Sequence, residues 1–178
     1  MRKLVNAVLM ALAIVGCSPT QPTPTTVATT KDAPRDTSGI VRRFTDDIWP
    51  AIAQYGPYQA AANKFRLVVD PAVLPHESQL TNSVEALGGA GYDGATQTTS
   101  SHDDLRLVAT DVTGVNGSKA TLTACYSYVY SSYVNIADKK DVPRSSEATV
   151  ELANVNNAWY LHSITNDHIV PGCSSPKA

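Results

Sequence analysis

ATLTACYSYVY, residues 120–130, decides the fold. Ala120, Leu122, Ala124, Tyr126, Tyr128 and Tyr130 occupy every second position, with Thr121, Thr123, Cys125, Ser127 and Val129 between them. Side chains of an extended chain alternate between two faces, so this pattern predicts a strand with one face on a core. Just ahead of it, VTGVNGSK (residues 112–119) carries Asn116 and Gly117, a pair that readily adopts the positive φ of a two-residue hairpin turn. Leu105 to Val112 alternates in the same way and is the expected hairpin partner. Downstream, Ala148, Val150 and Leu152 predict a third strand, Asn156 and Asn157 a second tight turn, and Trp159 to Thr165 a fourth strand.

Before the strands the period changes. Ile40, Phe44, Ile48 and Ile52 recur every four residues, with Trp49 and Tyr55 beside them, which predicts an amphipathic helix capped near Ser38. Pro50 lacks a backbone donor and crowds the preceding turn, so it is expected to kink or end that helix. A second helical patch is predicted over Tyr58 to Val69. Asp70 followed by Pro71 reads as the cap and first position of a third helix carrying Leu74, Leu80, Val84 and Leu87, with Pro75 interrupting it. Helices first and an antiparallel meander afterwards place the chain in the α+β class, with about four strands.

The N-terminal residues carry an address. Arg2 and Lys3 precede an apolar run from Leu4 to Val15, broken by Asn6 and followed by Gly16 and Cys17, the layout of a secretory signal peptide. The run is shorter than the roughly 20 residues a membrane-spanning helix needs. From Ser18 to Gly39 large apolar side chains are nearly absent, so ordering entropy cannot be repaid and the segment reads as an extended, proline-biased tether. The expected division is a signal peptide over 1–16, a tether over 17–39 and one folded domain over 40–178. A net charge of -2 and a pI near 6.0 give no basic footprint, so no nucleic-acid partner is expected.

Ile14, Val15, Gly16 and Cys17 resemble the bacterial lipobox, in which the cysteine is lipidated and the signal is cut just before it. The resemblance implies an exported protein held at the outer face of the cell membrane by lipid on Cys17. Two or more acyl chains suffice for stable anchoring. With Cys17 assigned to lipid, Cys125 and Cys173 remain, and two leftover cysteines in an exported protein are expected to pair. A metal site or a nucleophilic thiol would want partners at ligand spacing, and none of CxxC, CxxH or HxxC occurs.

The lipobox, the Thr/Pro tether, a helix near Trp49, the GGAGYDG loop, VNGSKATLTAC, a hairpin before AWYLHSIT and the closing PGC together resemble the small NTF2-like lipoproteins and secreted proteins of actinobacteria and their phages. The resemblance spans Ile40 to Cys173. It implies a curved antiparallel sheet wrapped around helices as a cone, with a pocket in some members and a non-catalytic binding role in many. Members often place an acidic residue just before the strand cysteine, and here Ala124 stands there. The expected function is a membrane-anchored envelope lipoprotein whose non-catalytic domain binds a protein or another envelope component. A phage or prophage product that alters the host envelope or superinfection is one form of that reading. The alternative is a pocket protein that binds, or weakly transforms, a small lipophilic molecule.

Motifs that carry chemistry are sparse. GAGYDG, Gly89 to Gly94, matches GxGxxG, but a helix precedes it and TQTTSS follows, so it reads as a flexible turn and not a dinucleotide site. HESQL at His76 starts like HExxH yet places Leu80 where the second ligand would stand. His102, Asp103 and Asp104 read as a solvated loop entering a strand, and Asp167 and His168 as an exposed turn after the last strand. Glu147 and Glu151 alternate against Val150 and are expected to face solvent. His162 shares a predicted strand face with Tyr160 and Ile164. With Tyr126, Tyr128 and Tyr130 it could form the polar end of a pocket, although the same tyrosines could simply pack on the sheet. No catalytic constellation, metal site or cofactor motif emerges, so the chain is expected not to be an enzyme.

Overall fold

A computed structural model describes residues 37–56 and 58–173; Cys17, the signal segment and residues 18–36 of the tether lie outside the described residues. Helical residues come first: α1 (Ser38–Arg43), a π-helical stretch (Phe44–Ile48), α2 (Trp49–Ala53), α3 (Gln59–Arg66) and α4 (Ser78–Glu85). A five-stranded antiparallel sheet follows: β1 (Gly91–Asp93), β2 (Thr98–Asn116), β3 (Lys119–Tyr133), β4 (Lys140–Val155) and β5 (Ala158–Val170). The strands lie in chain order, β1-β2-β3-β4-β5, and the sheet does not close. The α+β arrangement is as expected, with five strands in place of about four.

The extra strand comes from the glycine cluster. Gly91, Tyr92 and Asp93 pair with Ser100, Thr99 and Thr98. Asp93 organises the intervening turn, accepting the Ala95 amide at 2.9 Å and the Thr96 hydroxyl at 2.8 Å. The segment read as a flexible turn is therefore a short hairpin.

Pro50 neither ends nor breaks the first helix. The ring of a proline clashes with the carbonyl four residues back, and the turn ahead of it widens to the π form, with the Trp49 amide reaching the Phe44 carbonyl. Helical conformation thus continues to Ala53, and Phe44, Ile48, Trp49 and Ile52 all reach the core. The helix begins at Ser38 after Thr37, so the first turn extends into residues assigned to the tether. The second helix is shorter than expected, and the third starts at Ser78, beyond Pro75. Asp70 caps no helix: its carboxylate accepts the Ala72 amide at 2.9 Å in a local turn.

The quoted alternation holds along β3. Ala120, Leu122, Ala124, Tyr126 and Tyr128 are buried in one core with Ala148, Val150 and Leu152 of β4 and the helical Phe44, Ile48, Ile52, Leu80, Val84 and Leu87. Where the sheet must bend, the alternation fails. β2 carries three bulges and β5 two, each setting two residues against one on its partner. Each such insertion bends the strand and increases its twist. Beyond its pairing with β1, β2 is an outer strand, and its bulges with Asp104, Arg106 and Asp111 blunt an edge that would otherwise template another strand.

Cys125 lies in the other row of β3, and after β5 the chain returns across β4 to join it: Cys125 and Cys173 are disulfide-bonded, with Cα atoms 5.6 Å apart. With a sequence separation of 48, the bridge contributes about 4 kcal/mol in the chain-entropy model.

At Gly88 the helical layer meets the sheet. Its φ is +69°, and a Cβ there would lie 2.8 Å from a ring carbon of Tyr128. Gly88→Ala is therefore expected to cost about 2–4 kcal/mol, from left-handed strain and overpacking together. Gly39→Ala, in helix α1 with nothing within 4 Å of the added carbon, is expected to be neutral or slightly stabilising. Denaturant midpoints of the two variants check this, and equal stability would contradict it.

Candidate functional site

The five residues expected to share a pocket are dispersed. Tyr126 and Tyr128 are 0 % and 3 % exposed and belong to a filled aromatic core, with the Trp49 ring 5.3 Å from that of Tyr126 and the two tyrosine rings 5.6 Å apart. Tyr130 lies farther along the same face under the guanidinium of Arg144, 3.9 Å from its ring centre. Tyr160 sits near the start of β5 below Arg43, whose Nε donates to the Trp159 carbonyl at 3.1 Å. His162 faces a different neighbourhood altogether.

The reason is a bulge. Glu151 pairs with Ser163 and Leu152 with Leu161, so His162 is the extra residue. Leu161 and Ile164 take the core positions, three apart where strict alternation would need two. The shared face of Tyr160, His162 and Ile164 therefore does not form. His162 instead meets Asp70, with Nδ1 2.7 Å from Oδ2, while Asp70 is 3 % exposed. Two backbone bonds, Asp70 N–H to the Leu161 carbonyl and Leu161 N–H to the Val68 carbonyl, each 2.8 Å, lash the Asp70 segment to β5 as a short parallel bridge. His162 also lines a cleft of about 360 Å³ together with His76, Gln79 and Ser83.

The second bulge of β5 carries Asn166 and Asp167 opposite Ala148, with Asn166 at φ +54°. Asp167 and His168, expected in a turn past the last strand, lie within β5. The Tyr126 hydroxyl donates to Oδ1 of Asp167 at 2.5 Å, and the Gly88 amide donates both to Oδ2 of Asp167 and to the Tyr126 oxygen, each at 3.0 Å. Tyr128 shares a 3.1 Å hydrogen bond with Ser146. Burial, then the neighbouring Asp167 carboxylate, pushes the Tyr126 hydroxyl far above its ordinary value, so it stays a donor at any physiological pH. This network joins helical layer to sheet through groups satisfied by one another, which suits a structural pin.

His102 stands near the same junction, opposite Tyr130 in the β2–β3 register. It is half-buried in a strand, where a solvated loop was expected. Its Nδ1 is buried without a hydrogen-bond partner. Burial lowers its pKa, against smaller raising contributions from the Leu87 backbone, Asp103 and Asp167. Asp103 and Asp104 are exposed; Asp104 pairs with Arg106 at 2.8 Å, and Asp103 lies 3.6 Å from Lys139. Glu151 is partly exposed, 3.9 Å from Lys119. Among the described residues, no group of three or more His, Cys, Asp or Glu could hold a metal ion, and no helix is long and apolar enough to cross a membrane.

Neither bulge is legible as such in the sequence, although both polar residues they deliver, His162 and Asp167, stand out in it. Asp70 before Pro71 suits a helix cap and a local turn equally well in sequence, and here it makes the turn and holds His162. Gly88 gave a signal only as part of a glycine cluster.

No family model and no curated protein matches this chain. Among solved structures, the crystal structure of the intermembrane space region of the chloroplast protein ARC6 is similar, with a TM-score of 0.39 at 14% identity over 76% of this chain and 96% of that one. A likeness of that degree carries no functional weight.

A histidine with a depressed folded pKa binds fewer protons than its unfolded counterpart, so acid favours unfolding. Stability is expected to be lost as pH falls below the ordinary value of about 6.5. Part of that loss should vanish in His102→Gln. Denaturant titrations at neutral and mildly acidic pH check it, and an unchanged pH slope in the variant would contradict it.

Proposed function

We propose that the chain is an exported lipoprotein, anchored through Cys17, whose folded domain is an NTF2-like binding module without catalytic function. The observation that carries this reading is the filled core-side face of the sheet. Trp49, Tyr126 and Tyr128 pack against one another there and Gly88 seats on Tyr128, in the place where a lipophilic-pocket protein would keep its cavity. Recognition then falls to the outer surface and to clefts at the sheet's borders. The bulged five-stranded sheet over N-terminal helices supports the NTF2-like form, and the lipobox-like IVGC with its Thr/Pro tether supports the anchor. A tethered domain of this kind samples a volume near the membrane and so meets envelope partners at raised effective concentration. A partner protein or envelope component is the expected ligand, and a phage or prophage product acting on the host envelope fits the same reading.

Fractionation tests the anchor. The native chain is expected in the membrane fraction, labelled by a fatty-acid analogue, and Cys17→Ser is expected unlabelled and released. Continued membrane retention of the unlabelled variant would overturn the anchoring, and saturable uptake of a lipophilic dye reversed by Tyr128→Ala would overturn the filled core.

A further inference from the structure

The Asp70–His162 pair is more than the fold requires. Burying a carboxylate is costly unless it is paired and hydrogen-bonded, and a buried pair is weak evidence of stabilisation because an apolar replacement often does as well. Here the carboxylate is held on both oxygens, by the Ala72 amide at 2.9 Å and by His162 at 2.7 Å. A carboxylate only accepts from an N–H, so the 2.7 Å contact places the Nδ1 proton of His162 against Asp70 and leaves Nε2 as the ring atom available to a ligand, an acceptor wherever the ring is neutral. A carboxylate behind an imidazole fixes both its tautomer and its orientation. The bulge in β5 places this oriented ring in the wall of the cleft.

The cleft's chemistry narrows what can enter. Its lining holds no ionisable side chain besides the two histidines: His76, Gln79, Ser83 and Thr165 stand around His162, and no Lys, Arg, Asp or Glu is among the lining residues. Val73 and Leu80 add apolar surface. An anionic ligand would find no fixed cation there and would feel Asp70 behind the ring. Two histidines fall short of the three ligands a resident metal wants. Mixed donors and acceptors over a small apolar surface suit a ligand that itself both donates and accepts. A volume of about 360 Å³ falls at the small end of ligand pockets.

We infer that this cleft binds a small uncharged molecule bearing hydroxyl groups, of the polyol or single-sugar class, with one ligand hydroxyl donating to Nε2 of His162. The site belongs to the folded domain alone and does not depend on the lipid anchor or on a protein partner.

The test is an NMR titration of the full chain with glucose and with glycerol as probes, and with zinc chloride in a separate sample. Glucose is expected to shift the resonances of His162, Ser83 and Thr165 saturably, with a dissociation constant on the order of 1–10 mM. His162→Ala is expected to weaken binding about tenfold or more, and His76→Ala, on an exposed turn that leaves the core untouched, to weaken it less. The imidazole nitrogen shifts of the native chain are expected to show the Nδ1-protonated tautomer, and those of Asp70→Asn its loss together with weaker binding. No saturable shift from either hydroxylic probe would overturn the inference. So would shifts that survive His162→Ala, or a cleft that responds to zinc alone.

Discussion

The hydrogen bonds around the Gly88 amide are the constraint on which the rest of the structure depends. One N–H is shared between the Tyr126 oxygen and the Asp167 carboxylate, and the Tyr126 hydroxyl completes the ring by donating to the same carboxylate. Three distant parts of the chain meet there: the end of the helical layer, the middle of β3 and the end of β5. Only glycine admits both the positive φ and the close approach of the Tyr128 ring. Because the amide would otherwise be an orphaned donor at the edge of an apolar core, losing any one member exposes the others to the cost of an unmet hydrogen bond. That closed set joins the helical layer to the sheet at Gly88.

The bulges determine what the two faces of the sheet present. Within β5, one bulge turns His162 away from the core toward Asp70, and the next brings Asp167 to Tyr126. In both cases the inserted residue is polar, while Leu161 and Ile164 keep the core register around it. The strand thus serves packing with one set of residues and polar chemistry with another. A strictly alternating β5 with Ile164 in the core would have buried His162 and pushed Leu161 into solvent.

How far the sequence could be read follows from this. The helical four-residue spacing, the alternation of β3 and the Asn156–Asn157 turn were legible, because each is a local pattern with a local cause. The first hairpin, by contrast, turns one residue later than Asn116 and Gly117 suggest, at Gly117 and Ser118, with Asn116 paired to Lys119 in the ladder. The π-helical passage through Pro50, the hairpin in the glycine cluster and the bulges were not, since each is settled by partners far along the chain. A period-two reading of Trp159 to Thr165 necessarily put Tyr160, His162 and Ile164 on one face, and a single inserted residue undoes it. The cysteines were legible as a pair through the export that the lipobox resemblance implies, not through any geometry in the sequence. The Asp70–His162 contact joins residues 92 apart in the chain and left no local trace.

That the helical layer stays sealed to the sheet at Gly88 is the central claim about the molecule. Native-state hydrogen exchange of the Gly88 amide tests it most directly. The amide is expected to exchange only with global unfolding, as slowly as the core amides of β3. Exchange at the rate of an ordinary surface turn would contradict the claim, since it would mean that the helical layer lifts from the sheet and opens the interior to ligand.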